Sequence, residues 1–457
     1  MDWGGPILTS LGVVVREAAL FAAAGFVILG AGDLVVDAAW LARRLRQGRR
    51  PLPTIDSLPA PATPGTLAVF IPAWDEAAVI GDMLRAALAA WGAGDYRLYV
   101  GCYPNDPQTL AAVRAIADPR VRLVVGLANG PTTKADCLNR LWDALRADEA
   151  ADGRAAKAVI LHDAEDLVAP EELRVFDRAI ETWDFVQLPV QPLIHPESRW
   201  VGGHYADEFA EAHGKEMPVR QALGAALPSA GVGCAFARGT LEHIAQRSGD
   251  LPFDAESLTE DYELGLMVRS AGGSACFLRI AGDDGRLVAT REYFPGTIPA
   301  AVAQKARWMA GIALAGWDRM GWSGGIAERW MRLRDRQSLL AAALLFSAYL
   351  SAALWLLLAP LRLVAGVPAE PVSPLLAFLM QANLVLLGWR MAVRAGFTAG
   401  VHGWREGLRS IPRAAVANVI AMLAAAAALS RYRRLRRTGR VTWGKTAHIF
   451  PTAAAAR

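Results

Sequence analysis

Three uncharged stretches, residues 339–360, 372–389 and 414–430, run for 22, 18 and 17 residues and constrain this chain more than any other feature. An α-helix rises about 1.5 Å per residue, so about 20 apolar residues cross the roughly 30 Å hydrocarbon core of a bilayer. The first two stretches are long enough to span it, and the third is shorter and rich in Ala. A fourth candidate lies near the start. Residues 18–32 carry no charge, and apolar character continues through Leu34, Val35, Val36 and Trp40 despite Asp33 and Asp37. This stretch is too long for a signal-peptide core, and no small-residue cleavage site follows it. Arg43, Arg44, Arg46, Arg49 and Arg50 come next, and the positive-inside rule then puts the following segment in the cytosol.

Hydrophobic residues make up 53% of the 457, yet charged residues still reach 20%, a mixture that implies a soluble domain joined to membrane segments. Forty-eight Lys and Arg against 44 Asp and Glu give a net charge of +4. The bases gather beside apolar runs, which argues for membrane flanks and against a nucleic-acid partner. Cys102, Cys137, Cys234 and Cys276 are far apart and form no CxxC pair, so neither a zinc site nor a disulfide framework is indicated and a reducing setting fits them. The expected divisions are a membrane helix with its basic flank at 1–50, a cytosolic domain at 51–330 with an interfacial helix near 297–320, membrane helices at 331–430, and a basic tail at 431–457. One conflict stands in this scheme. If all four apolar segments cross, the tail with Arg431, Arg433, Arg434, Arg436 and Arg437 lies outside, against the positive-inside rule. Either the segment at 414–430 lies in the interface or re-enters, or residues 390–409 conceal another membrane element. A cytosolic tail is the expectation.

Between the membrane segments the pattern alternates strand and helix. Apolar runs at 67–72, 96–102, 121–125 and 158–162 read as strands and 77–91 as a helix, which predicts an α/β fold with a doubly wound, mainly parallel sheet. Ligands of such sheets bind beyond the carboxyl ends of strands. Asp75 and Glu76 follow the first strand, and Asp163, Glu165 and Asp166 follow the fourth. Thr259-Glu260-Asp261 and Gln304-Lys305-Ala306-Arg307-Trp308 come later. Departure of a nucleotide diphosphate is helped by a divalent cation on carboxylate oxygens, for which Asp163 and Glu165 are placed. An acceptor hydroxyl must lose its proton, for which Asp261 is the candidate base. Gln304, Arg307 and Trp308 offer an amide, a guanidinium and an indole on one side of a helix. Taken singly, Asp163 to Asp166 also reads as an acidic helix cap, Thr259 as an N-cap, and 304–308 as an amphipathic interfacial helix. His162, His204 and His213 match no ligand spacing and read as structural or solvated.

Together these motifs resemble the processive, membrane-embedded branch of glycosyltransferase family 2, whose pattern is D, DxD, TED and QxxRW. Within it, Ile71-Pro72-Ala73-Trp74-Asp75-Glu76, Leu161-His162-Asp163-Ala164-Glu165-Asp166, Leu258-Thr259-Glu260-Asp261-Tyr262-Glu263 and the tail Trp443-Gly444-Lys445-Thr446-Ala447-His448-Ile449-Phe450-Pro451 are similar to the bacteriophage adsorption protein B family. The likeness runs nearly the whole chain and implies a GT-A-like fold that binds a nucleotide-sugar. It implies nucleotide contacts from Pro72, Asp75, Glu76, Lys134 and Asp163, with Asn105 or Asp106 in the place of a second-strand Asp. Mg2+ or Mn2+ would sit on Asp163 and Glu165. The acceptor would lie over the turn with Gly231, Gly233 and Cys234 and against Trp308. Catalysis would fall to Asp261 and Glu260 with Gln304, Arg307 and Trp308. Val441 to Thr446 is similar to a gating loop, with Trp443, Lys445 and Thr446 as the candidate gating residues.

The activity so implied is an inverting, metal-dependent glycosyltransferase of the bacterial inner membrane, multi-pass with a cytosolic catalytic domain. Its partners would be a UDP-sugar, a glycan acceptor, the lipid bilayer and an export partner in the periplasm or outer membrane. A competing reading is a membrane scaffold or phage-uptake component with a vestigial site. Retention of every carboxylate and of Gln304, Arg307 and Trp308 favours the enzyme.

Overall fold

The computed structural model describes residues 4–48, 51–62, 65–368, 371–439, 441, 444 and 447–451. Among the described residues there are nine strands: β1 Leu67–Pro72, β2 Tyr96–Cys102, β3 Val121–Val125, β4 Ala158–Leu161, β5 Phe185–Gln187, β6 Val190–Leu193, β7 Cys234–Ala237, β8 Ala275–Phe277 and β9 Thr290–Tyr293. Seven form one sheet in the order β3-β2-β1-β4-β7-β5-β8, while β6 and β9 pair separately in parallel. Within the large sheet β7 runs antiparallel to both neighbours and the other pairings are parallel. The expected α/β sheet is therefore present. The first helix of this domain begins three residues later than expected, at Ile80, after a turn over 77–79 in which Val79 takes φ −127°.

Alternation along the strands divides two apolar layers. Val69 and Ile71 face a cluster with Met83, Leu110 and Phe176, whereas Ala68 and Phe70 face one with Leu138, Trp142 and Leu264. Both faces of β1 are thus buried, as its unbroken apolar run requires. The strand order reverses between β1 and β4, which lie side by side with Phe70 opposite Leu161. That reversal opens a crevice at their carboxyl ends. Antiparallel β7 places Cys234 opposite Leu161, so the turn preceding β7 arrives at the same rim.

Among the described residues, four helices are long and apolar enough to cross a membrane: Gly5–Gln47, Ser338–Ala365, Pro374–His402 and Trp404–Thr438. The first is 43 residues, roughly 65 Å, far beyond one hydrocarbon core. Asp33 and Asp37 lie on its excess length and are partnered. Asp33 pairs with Arg334 at 2.9 Å and Arg390 at 3.5 Å; Asp37 takes Lys215 and the Trp389 indole, the latter at 2.7 Å. The last helix packs on the α/β domain along its length. Fully buried Arg413 near its start meets Asp207 of helix Val201–Glu211 at 2.8 Å. Ala424 and Ala428 seat against Ala306 and Ala310, and near its end Tyr432 bonds Asp318. The chain then passes Val441 and Gly444 to His448 at the crevice.

Candidate active site

One cleft gathers most of the expected residues. Its walls include Pro72, Glu76, Lys134, Asp163, Glu165, Glu260, Asp261, Gln304, Arg307 and Trp308, and it encloses, out to its open mouth, about 1030 Å3.

Local structure aims each group. The Thr133 hydroxyl accepts from Asp136 N at 3.1 Å and caps helix Lys134–Asp152, which puts Lys134 at the first turn, 2.6 Å from Asp163 Oδ1. Burial opposes the Lys134 charge, but Asp163, Glu260 and Asp261 around it hold its pKa above the ordinary lysine value. The acidic turn after β4 is no helix cap. Asp166 accepts from Asp163 N at 3.0 Å and from buried His162 at 2.7 Å, and His162 reaches Glu172 on its other side at 2.8 Å. Burial works against protonating His162, but these two carboxylates push its pKa up to about 10. Its role is to brace the turn, as the structural reading of the histidines had it. His204 and His213 are likewise buried, with burial driving each down to about 4.

Glu260 and Asp261 open helix Glu260–Ser270, with Thr259 before them making no side-chain cap. Burial, then the Asp261 charge, pushes Glu260 up to about 7 against the pull of Lys134 and Arg307. The Asp261 carboxylate lies against Gly231, whose φ is +78° and where an added Cβ would stand 2.2 Å from Asp261 Oδ2. Gly233, at φ +56°, leaves similarly little room beside Thr290. The turn is held from below by Gln187, whose side chain donates to Val232 O at 2.9 Å and accepts from Ala230 N at 2.8 Å. Cys234 is buried in β7 under it, where burial pushes the thiol up to about 12. Replacing Gly231 by Ala is expected to displace Asp261 and add backbone strain of about 1–3 kcal/mol; turnover should fall more steeply than nucleotide binding, read by kinetics beside calorimetric titration with nucleotide.

On the far wall Arg307 donates to Leu258 O at 3.4 Å, and Trp308 joins Tyr205, Phe209 and Phe294 in an aromatic wall with ring centroids 6.0 to 6.5 Å from its own. Lys305, inside the same motif, points away to Glu208 at 2.6 Å. Glu260 Oε1 and Gln304 Oε1, buried oxygens of cleft residues, are among those with no hydrogen-bond partner among the described residues. Unpaired acceptors in a cleft suit a ligand rich in hydroxyls.

Not every expected residue lines the cleft. Asp106 spends its carboxylate on the amides of Asp75 at 2.6 Å and Thr109 at 3.2 Å, capping helix Pro107–Arg114 and fixing the loop after β1. Asn105 clasps Gly130 through two bonds of 2.8 and 2.9 Å. Trp443, Lys445 and Thr446 lie outside the described residues, although their neighbours Val441 and Gly444 line the cleft.

His448 is what sequence reasoning missed. Its Nδ1 lies 3.0 Å from Glu76 Oε1 and 3.2 Å from Glu165 Oε2, and one ligand atom from each of the three falls within 4.8 Å of the others. Two carboxylates and an imidazole at this separation fit Mn2+ or Mg2+. Asp163 stands beside this set with one oxygen on Lys134. Burial, then Asp163 and Glu76, push Glu165 up to about 7 despite His448, while the two glutamates overcome burial to push His448 up to about 11. The signal lay in the quoted tail, where His448 is the one imidazole beside Phe450. Glu292 of β9 was also missed. It lines the cleft, and burial with Asp166, Glu165 and Asp163 drives its pKa well up.

A family model described as glycosyltransferase like family 2 matches residues 64–311. Two curated relatives are similar over 99% of this chain at 33% identity: bacteriophage adsorption protein B of Escherichia coli strain K12 and bacteriophage N4 adsorption protein B of Escherichia coli O157:H7. The match covers 64% of each relative, so this chain spans less than two thirds of their length. Among solved structures, a mannosyltransferase from Pyrobaculum calidifontis in complex with GDP-Man and Mn2+ aligns with a TM-score of 0.52, covering 90% of this chain and 99% of that one. At 18% identity that likeness is one of fold.

Proposed function

Because this chain belongs to the glycosyltransferase-like family 2, we propose that it moves a sugar from a UDP-sugar to a hydroxyl of a growing glycan, with inversion at the sugar carbon, at the cytosolic face of a bacterial inner membrane. Exopolysaccharide synthesis is the process this would serve. The observation that carries the reading is the convergence, in one cleft, of Asp261, the Glu76–Glu165–His448 set and the Gln304–Trp308 helix.

Each group then has a task. Asp261 takes the proton of the attacking hydroxyl. Lys134 and Arg307 lie where charge grows on the departing diphosphate, and they stabilise it best in a site shielded from water. A divalent cation, when bound, neutralises charge on the diphosphate, and Glu76, Glu165 and His448 are the residues to hold it, with Asp163 adjacent. Pro72 and the loop shaped by Asp75 and Asp106 receive the nucleoside. Trp308 offers its ring to the acceptor sugar. The intact set favours catalysis over a vestigial site. A last helix held to the domain at both ends supports a tail on the cytosolic side.

The test is nucleotide release by the purified full chain with UDP-glucose, UDP-GlcNAc, UDP-ManNAc or GDP-mannose, with Mg2+ or Mn2+ varied. Release above the hydrolysis background with one donor supports the reading, and none with any donor under either metal defeats it. The metal set predicts a pH effect of definite sign. His448, and Glu165 below about pH 7, carry protons that a metal must displace. Mn2+ affinity should therefore rise as pH rises through about 7, with proton release visible as buffer-dependent heat in calorimetry. Changing His448 to Ala should weaken Mn2+ binding about tenfold or more; undiminished affinity would leave the imidazole outside the metal site.

A further inference from the structure

A second cavity adjoins the cleft, with Val190 and Phe209 lining both. It is small beside the cleft, about 260 Å3 against about 1030 Å3 with both taken to the open mouth, so it takes a small group. Its polar lining is made of Arg279, His213, His402 and Gln191, with no carboxylate among the lining residues. Arg279 donates to the His213 carbonyl at 2.7 Å and forms no ion pair among the described residues. His213 is 9% exposed. Its Nδ1 accepts from Val190 N at 2.9 Å, which leaves the proton of the neutral ring on Nε2, a donor with no partner among the described residues. His402 Nε2 is buried and likewise unpartnered.

A half-buried guanidinium without a counter-charge is costly, and the cost is relieved when an anion takes up its remaining donors. Three buried or half-buried arginines of the domain are by contrast paired with acids: Arg220 with Asp335, Arg238 with Glu149, Arg319 with Glu263. Here a guanidinium and two imidazoles turn toward one small space. His402 also ends the membrane-length helix Pro374–His402, which sets the cavity where that helix meets the α/β domain.

We propose that this cavity binds a phosphate-type oxyanion, with Arg279 as the charged anchor and His213 and His402 as hydrogen-bonding partners. The same chemistry has two sources, a lipid headgroup at the membrane boundary or free phosphate. An occupant would buttress Val190 and Phe209, whose ring lies 6.5 Å from Trp308. The inference does not depend on the transfer reaction.

The experiment uses the full chain purified in detergent. Dioleoylphosphatidylglycerol is titrated by native mass spectrometry and inorganic phosphate by thermal shift, for the wild type, Arg279→Gln and His402→Gln. His213 is spared because it holds Val190. Loss of charge-assisted bonds should weaken binding by Arg279→Gln about tenfold or more. A retained lipid that disappears in the variants, with phosphate inert, assigns the headgroup. Phosphate stabilisation that disappears in the variants assigns the free anion. If Arg279→Gln does not fold, His402→Gln carries the comparison. Equal response of the wild type and a folded variant to both probes, including no response, overturns the site.

Discussion

Replacing Asp261 by Asn is expected to lower nucleotide release by a factor of about 10²–10⁴ while the protein still folds. Asn keeps the shape of the side chain and can still accept from Tyr262 N, a bond of 2.7 Å made by Asp261 Oδ1. It also fits the space that Gly231 leaves. What it cannot do is take a proton. A second consequence follows at Glu260, whose carboxyl burial and the Asp261 charge together push up to about 7. Without that charge Glu260 should titrate lower, and any residual activity should have its acid limb moved to lower pH. Release measured from pH 5 to 9 for both proteins, with circular dichroism as the check on folding, gives both answers. Equal turnover would remove Asp261 from the role of base.

The other large effect is expected at Asp207. Both its oxygens serve arginines of the last two long helices, Arg394 at 3.0 Å and Arg413 at 2.8 Å, and Thr398 adds a bond at 3.2 Å. Burial pushes its carboxyl up to about 6 in spite of the two guanidinium groups. Changing Asp207 to Ala leaves Arg413, which is fully buried, with Glu406 at 2.9 Å as its remaining acid. Removing one partner of a buried pair costs about 3–5 kcal/mol. The last helix should loosen from the domain, and because the tail beyond it carries His448 into the cleft, metal affinity should fall as well. Limited proteolysis of the last helix and Mn2+ titration of one preparation test both. A variant with unchanged proteolysis would show that Ala424 and Ala428 hold the helix without the ion pair.

Much of the site was legible because strand ends in a doubly wound sheet are fixed by short-range patterns. The apolar runs before Asp75 and Asp163 are buried on both faces, and a buried strand of that composition leaves its following loop at the crevice. Asp106 was harder. A carboxylate after the second strand reads equally as a ligand contact and as a helix cap, and in the fold both its oxygens are taken by backbone amides. His448 was harder still. It lies 372 positions from Glu76, and no local period links them.

The uncharged runs stand on the same divide. Composition by itself determined that this chain carries membrane-length helices around an α/β domain with carboxylates at its strand ends, since hydropathy and strand burial are properties of neighbouring residues. Which groups an apolar helix packs against is a property of its surroundings. On the last helix Ala424 and Ala428 seat against Ala306 and Ala310, and Arg413 is tolerated there because Asp207 meets it. Asp33 and Asp37 sit in an apolar helix because Arg334, Arg390, Lys215 and Trp389 come from far along the chain to pair with them. Only the tertiary structure could decide these matters, because an ion pair or a close helix contact exists only where distant segments have been brought together.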